Sequence, residues 1–203
     1  MHQDSRRVGE GTAPKARQFF SIDYYRFDST RYNWPEQVQL MDTPLTPRLK
    51  VIGVGNEWRG DDAVGLLVAR HLNQDQLPRV QIAESRATVT AVQEAWKNAA
   101  GVIVVDAVVS GGRPGAIYRF DAHGAGVPVQ LSRSLSAHGW GVAEALALGN
   151  VFQELPPWLI IYGIEGKNFG PGQEVSPEVA AAIPEAARRI RREIQEWLGR
   201  DLL

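Results

Sequence analysis

One glycine-rich segment limits the possible folds of this chain more than any other feature. It is the run Gly-Val-Gly-Asn-Glu-Trp-Arg-Gly-Asp-Asp-Ala-Val-Gly at residues 53–65. Residues 49–52 have the composition of a buried strand. After them come residues that are spaced as on one face of a helix: Val64, Leu67, Val68, His71 and Leu72. A strand, a glycine-rich turn and a helix in this order predict the first βα unit of an α/β sheet.

Two acidic residues of this turn, Asp61 and Asp62, decide which ligand it can accept. Turns of this kind often bind phosphate, because the free N–H groups at a helix N-terminus attract anions. Two carboxylates at that place repel an anion instead. The pair therefore suits a cation, or chemistry on a metal-bearing partner. The alternative is that the pair only complements the helix dipole, which contributes roughly 0.3–1 kcal/mol per carboxylate.

The composition excludes several classes of protein. The chain has 203 residues, 44% of them hydrophobic, and its formal net charge of -1 argues against nucleic acid or an anionic membrane as the main partner. It contains no cysteine, which excludes disulfides, thiolate metal sites and a cysteine nucleophile. We find no signal peptide and no apolar run long enough to span a bilayer. We therefore expect a cytoplasmic protein without nucleic acid or membrane partners, and we expect it to be monomeric.

The chain is expected to divide after residue 48. Residues 1–48 combine a polar stretch with an aromatic cluster and end near Pro44 and Pro47, which disfavour helix. We interpret them as a poorly ordered N-terminal leader. The alternative is an arm whose aromatic side chains dock on the domain or on a partner. Residues 49–203 carry the regular pattern of a folded domain.

Strands and helices alternate in this domain, which predicts a mostly parallel sheet covered by helices on both faces. Residues 101–106 form an apolar run ending in Asp106, as expected of a central parallel strand. Ser176 and Pro177 are predicted to begin the C-terminal helix as N-cap and first residue, and Pro184 to break or kink it. The other predicted elements are strands at 80–84, 116–120 and 159–164 and helices at 90–98 and 138–148.

Three side chains are predicted to meet beyond the carboxyl ends of the strands, where open α/β sheets bind ligands. Asp62 follows the first strand, Asp106 ends the third, and His138 opens a later helix. Two carboxylates and an imidazole suit a divalent metal such as nickel or zinc, with positions left open for a substrate group. A plainer role stays open for each: a dipole partner for Asp62, an N-cap or ribose ligand for Asp106, and a surface histidine for His138.

Together these pieces resemble the hydrogenase maturation endopeptidases, which process the large subunit of nickel-iron hydrogenases. The resemblance covers about residues 49–200, without the leader. Ala63 and the loop at 84–88 depart from the family pattern, and the loop leaves the class of hydrogenase open. The motifs that carry the resemblance are Gly53 to Gly65 with Asp61-Asp62, Val105-Asp106-Ala107, Ser136-Ala137-His138-Gly139, and Gly163-Ile164-Glu165 followed by Ser176-Pro177.

The resemblance implies both a fold and an activity. The fold is a three-layer αβα arrangement with a mostly parallel, twisted, five-stranded sheet. The activity is an endopeptidase that removes a C-terminal extension from the hydrogenase large subunit precursor after nickel has been inserted. The nickel is then carried by the substrate and not held permanently by the enzyme. By the same resemblance Asp62, Asp106 and His138 contact this nickel, as metal ligands and as catalytic residues.

The residues present in the sequence limit the catalytic mechanisms that are possible. The sequence has no cysteine, no Gly-x-Ser-x-Gly elbow and no His-Glu-x-x-His helix, so a covalent serine or cysteine protease is not expected. We expect an aspartic-type endopeptidase in which the metal, or a carboxylate acting as base, activates water.

Two other classes of protein stay open. One is a nucleotide-binding oxidoreductase, with Gly53-x-Gly55 in the turn and Glu84 as the ribose ligand. Against it, Trp58 replaces the third glycine of that motif, and Asp61 and Asp62 oppose a pyrophosphate. The other is a non-enzymatic nickel-handling assembly protein on the same fold.

Overall fold

The structure is a computed structural model that describes residues 49–75, 77, 79–122 and 141–200, the side chain of Arg200 excepted. The predicted leader at residues 1–48 and the predicted site residue His138 lie outside the described residues. Within the described part, no helix has the length and apolar character needed to cross a membrane.

The described elements alternate between strand and helix for most of the chain. A short 3₁₀ turn, Gly60–Ala63, precedes the first helix. The strands are β1 (Leu49–Val54), β2 (Val80–Ser85), β3 (Gly101–Val108), β4 (Ile117–Asp121) and β5 (Trp158–Glu165), and the helices are α1 (Val64–Asn73), α2 (Val89–Trp96), α3 (Val142–Val151) and α4 (Pro177–Arg200).

These strands form one five-stranded sheet in the order β2-β1-β3-β5-β4. The four strands β2, β1, β3 and β5 run parallel, and β4 pairs antiparallel with β5 at the edge. Helices α1 and α4 cover one face of the sheet, and α2 and α3 cover the other. The predicted three-layer fold with a mostly parallel sheet is thereby confirmed.

The central strand β3 shows how the two faces are built. All eight of its residues are buried, because helices cover both sides of it. Ile103 and Val105 pack into the core beneath α1 and α4, whereas Val102 and Val104 pack into the core beneath α2 and α3. This alternation with period two places Asp106 on the α2/α3 face, at the carboxyl end of the sheet.

The prediction that strand β3 ends at Asp106 was wrong. Strand β3 continues through Ala107 and Val108, which pair with Ile164 and Glu165 of β5. Both added residues are buried, so pairing with β5 and packing extend the strand by two positions beyond the acid. Asp106 therefore lies inside a paired strand, with a fixed backbone.

Of the break or kink predicted at Pro184, the break was wrong, because α4 continues through this residue to Arg200. Proline removes one backbone hydrogen bond, here to the carbonyl of Ala180. Ala180 and Pro184 both face solvent, so water can bind that carbonyl. Burial of the apolar stripe on both sides of Pro184, from Val179 to Ile194, keeps the helix continuous. Helix α3 ends at Val151, later than predicted, and its predicted start at 138 lies outside the described residues.

Candidate functional site

The start of α1 lies directly against the carboxyl ends of two strands. A Cβ atom on Gly65 would overlap the carbonyl oxygens of Val54 and Val105, which belong to β1 and β3. A Cβ atom on Gly55 would overlap the carbonyl oxygen of Asp62. Glycine is therefore required at both positions, and its role here is close backbone approach. This approach holds the β1–α1 turn, residues 55–63, over the edge of the sheet.

Asp61 has no solvent exposure, and its carboxylate is fully occupied by a second loop. That loop, residues 166–176, connects β5 to α4, and we call it the anchor loop. Asp61 Oδ2 accepts hydrogen bonds from the backbone N–H groups of Lys167 and Asn168, both at 2.9 Å. Asp61 Oδ1 accepts one from the Ser176 N–H at 2.6 Å, and the Ser176 hydroxyl donates to Oδ2 at 3.0 Å.

These contacts keep Asp61 ionised. Burial by itself would raise its pKa, but the hydrogen bonds from Lys167, Ser176 and Asn168 together lower the pKa below its ordinary value. Ser176 directly precedes α4, as predicted, and its carbonyl oxygen accepts a hydrogen bond from the Ala180 N–H at 2.9 Å. Its hydroxyl also donates to Asp61. One expectation is corrected: the two acids of the turn do not act as a pair on one ligand, because Asp61 is committed to the anchor loop.

Asp62, unlike the buried Asp61, lines a surface cleft. The cleft has a volume of about 510 Å³ and lies between the β1–α1 turn and residues 84–88, which comprise the last two residues of β2 and the three residues after it. Asp62 is partly exposed in it, and Trp58, 73% exposed, stands at its rim. The cleft therefore brings the Asp62 side chain into contact with solvent at the carboxyl end of the sheet.

Asp106 lies close enough to Asp62 for the two carboxylates to interact. Its side chain is only 6% exposed, and Oδ1 accepts a 2.8 Å hydrogen bond from the Ala107 N–H. Burial raises the pKa of Asp106 well above its ordinary value, and the negative charge of Asp62 raises the pKa further. The hydrogen bond from Ala107 opposes this shift only in part. Such a carboxyl group favours holding a proton, or a neighbouring cation that replaces it.

The structure thus brings together two of the three predicted site residues. The third, His138, lies outside the described residues. Among the residues that are described, no group of three histidine or acidic side chains is placed to hold a metal ion. The pair Asp62 and Asp106 can offer carboxylate oxygens to a hard or borderline cation that other ligands also hold.

Glu84 already has a strong partner, which weakens its predicted role as a ribose ligand. Arg70 binds it through two nitrogens, with Nε at 3.0 Å from Oε1 and Nη2 at 2.8 Å from Oε2. Arg70 Nη2 also reaches Glu57 Oε2 at 3.3 Å. A bidentate guanidinium pair of this geometry leaves the carboxylate poorly placed to accept hydrogen bonds from a ribose.

Glu165 has a structural role that the sequence did not reveal. It is 1% exposed and accepts hydrogen bonds from the N–H groups of Ser110, Gly111 and Gly112, at 2.8, 2.9 and 3.1 Å. The Ser110 hydroxyl adds a fourth bond at 2.6 Å. Glu165 therefore fixes the loop after β3, while Asp61 fixes the turn after β1. The sequence analysis had only placed Glu165 in a motif of the family resemblance, directly after the strand predicted at 159–164.

Comparison with known proteins gives one consistent result. The family model described as hydrogenase maturation protease, HycI, matches residues 68–193. Among curated proteins, the hydrogenase 2 maturation protease of Escherichia coli is 27% identical over 154 residues, which are 73% of this chain and 92% of that protein.

Solved structures of similar proteins share the fold. The hydrogenase maturating endopeptidase HybD from Escherichia coli aligns with a TM-score of 0.62 at 25% identity, over 73% of this chain and 93% of that one. A solution structure of an endopeptidase from Escherichia coli aligns with a TM-score of 0.64 at 27% identity, over 73% of this chain and 93% of that one. A hydrogenase 2 maturation peptidase from a thaumarchaeon aligns with a TM-score of 0.53 at 27% identity, over 73% of this chain and 98% of that one.

Proposed function

Because this chain belongs to the hydrogenase maturation protease family and is therefore a peptidase, we propose how it acts on its substrate. It is an endopeptidase that removes a C-terminal extension from the large subunit precursor of a nickel-iron hydrogenase. The relatives named as hydrogenase maturation proteases support this substrate. The observation that carries the proposal is the position of Asp62, which lines the cleft, near the buried Asp106 at the carboxyl end of the sheet.

The substrate's nickel is the recognition signal in this proposal. Asp62 and Asp106 contribute carboxylate oxygens to it, and His138 contributes an imidazole nitrogen. Burial and the charge of Asp62 make Asp106 costly to ionise alone, and a divalent cation offsets that cost. A precursor without nickel gives these residues nothing to coordinate, so its extension is not positioned for attack.

Peptide cleavage then proceeds without a covalent enzyme intermediate. A water molecule adds to the carbonyl carbon of the scissile peptide bond, the C–N bond breaks, and the leaving amine takes up a proton. One carboxylate, Asp62 or Asp106, acts as the base that accepts the proton from water. The pKa of Asp106, which burial and then the charge of Asp62 raise above its ordinary value, supports a role for this residue in proton transfer.

The cleft beside Asp62 is the place where we expect the peptide to bind. It is open to solvent and is bordered by residues 84–88, the segment that departs from the family pattern. This segment is the part of the chain that we expect to select the class of hydrogenase. We place the protein in the cytoplasm, which its lack of cysteine supports. Its monomeric state stays a prediction, which light scattering checks.

The two alternative functions have less support. The bidentate pair of Glu84 with Arg70 opposes the nucleotide-binding oxidoreductase, and no such protein appears among the relatives described above. Membership of a protease family opposes the non-enzymatic assembly protein.

A purified-component assay tests the proposal directly. The protein is mixed with nickel-loaded or nickel-free large subunit precursor, and mass spectrometry follows the loss of the extension. We expect cleavage of the nickel-loaded precursor alone. Binding of the loaded precursor without cleavage would instead indicate the assembly protein, and binding of NAD would indicate the oxidoreductase.

A further inference from the structure

We propose that Asp61 is a positioning residue that fixes Asp62 for contact with the substrate's nickel. This inference rests on the proposed function. It starts from the different surroundings of two consecutive residues. Asp61 is fully buried against the anchor loop, whereas Asp62 is partly exposed in the cleft. Both lie in the single 3₁₀ turn Gly60–Ala63, so a shift of one displaces the other.

Asp61 is held to the anchor loop through both its backbone and its side chain. Its N–H donates to the carbonyl oxygen of Asn168 at 2.8 Å. Its carboxylate accepts the four hydrogen bonds from Lys167, Asn168 and Ser176. Both carboxylate oxygens are therefore used inside the protein, and Asp61 is not available as a nickel ligand. What it fixes is the position of the turn.

The rest of the turn transmits this position to Asp62. The Asp62 N–H donates to Arg59 O at 3.3 Å, and Asp62 O accepts from the Asn56 N–H at 3.2 Å. A second link to the anchor loop runs from the Gly172 N–H to Trp58 O at 2.8 Å. The backbone of Asp62 is thus fixed within its own turn, and the turn is fixed to the anchor loop chiefly by Asp61.

Such support matters because metal coordination tolerates only small errors in ligand position, roughly 0.2 Å. Residues that orient a metal ligand, without touching the metal, change metal affinity or activity by about 10–100-fold when they are replaced. Loss of the Asp61 carboxylate should therefore lower the rate at which the protein cleaves nickel-loaded precursor. It should leave contacts that do not involve nickel unchanged.

The test compares Asp61→Asn with a matched control, Glu165→Gln. Glu165 is also a buried carboxylate with four hydrogen bonds from a loop, but its partners are Ser110, Gly111 and Gly112. Both variants exchange a buried carboxylate for an amide, so both should lower the melting temperature. For each protein we measure the melting temperature, kcat/KM on nickel-loaded precursor, and the dissociation constant for nickel-free precursor.

We expect Asp61→Asn to lower kcat/KM on nickel-loaded precursor by about tenfold or more, with binding of nickel-free precursor changed by less than about twofold. Glu165→Gln should leave both quantities near their original values. If Asp61 had a structural role alone, both variants should change kcat/KM and the dissociation constant by similar factors. If Asp61→Asn fails to fold, Ser176→Ala, which removes only the hydroxyl donor to Asp61, should show a smaller loss of the same kind.

The outcomes separate this inference from the proposed function. If the unaltered protein cleaves only nickel-loaded precursor, but Asp61→Asn or Ser176→Ala is as active as Glu165→Gln, the inference is overturned and the function stands. The inference is also overturned if Asp61→Asn weakens binding of nickel-free precursor by the same factor as it lowers kcat/KM on nickel-loaded precursor. Equal cleavage of both precursor forms by the unaltered protein would overturn the proposed function and this inference with it.

Discussion

The carboxylate of Asp61 accepts a 2.6 Å hydrogen bond from the backbone N–H of Ser176, which lies 115 positions later in the chain. This contact joins the turn after the first strand to the start of the last helix. An acid at this place also interacts favourably with the positive end of α4. One buried carboxylate therefore links an early turn of the domain to its last helix at the carboxyl end of the sheet.

Asp61→Asn should lower the free energy of unfolding by about 2–4 kcal/mol, because the amide group turns an –NH₂ toward N–H donors and leaves them unsatisfied. Ser176→Ala should cost about 1 kcal/mol, since it removes one of the four donors. Denaturant unfolding followed by circular dichroism measures both. A loss below about 0.5 kcal/mol for Asp61→Asn would show that these hydrogen bonds contribute little to stability.

Much of the fold could be predicted because the burial pattern follows directly from local sequence. Residues 101–108 are apolar on both faces apart from Asp106, which only a strand covered on both sides allows. The position of Pro184 inside α4 could not be predicted. Proline has a fixed local cost, and whether the helix survives depends on burial elsewhere along it, which is a tertiary property.

The candidate site was predictable only in part. The sequence predicted that Asp62 and Asp106 lie at the same edge of the sheet, and in the structure burial and then the charge of Asp62 raise the pKa of Asp106. The sequence analysis selected Asp62 as the site residue but gave no structural role to Asp61. That role depends on donors far along the chain, at Lys167, Asn168 and Ser176, which local sequence does not reveal.

Gly65→Ala should destabilise the domain by several kcal/mol and reduce processing. The added methyl group would overlap the carbonyl oxygens of Val54 and Val105, so the start of α1 and the turn before it must move. Gly199→Ala is the control, because a Cβ at that exposed helical position meets nothing within 4 Å. It should leave stability unchanged or raise it by at most about 1 kcal/mol. Equal melting temperatures for the two variants would contradict the close approach.

Asp62→Asn, Asp106→Asn and His138→Ala should each abolish processing, a loss of about 10²–10⁴-fold or more, with little change in fold stability. Asp62 is partly exposed, and an amide in place of Asp106 keeps the shape of a group whose burial favours its neutral form. Glu94→Gln, on the exposed side of α2, is the control. Cleavage rates and thermal melts are compared for all four. Normal cleavage by a stable Asp106→Asn protein would show the site to be wrongly assigned.

Deletion of residues 1–40, so that the chain begins at Met41, should leave a folded domain. The first strand begins at Leu49, which is fully buried, and the core described here is formed from residues after it. The measurements are solubility and the cooperativity of thermal unfolding, compared with the full-length protein. An insoluble product, or a broad and uncooperative melt, would show that the aromatic cluster before residue 41 is part of the folded structure.

The protein at rest should bind nickel weakly, and its activity should depend on nickel carried by the substrate. Two carboxylates and one imidazole, without a thiolate, form a poor permanent site for a borderline metal, but they can share a metal that a partner already holds. Metal analysis of protein purified without added nickel, before and after dialysis against a chelator, checks the first part. Cleavage of nickel-loaded and nickel-free precursor in the presence of the same chelator checks the second. Stoichiometric metal that survives dialysis would mean that the site is a resident metal centre, and equal cleavage of the two precursors would mean that nickel is not the signal.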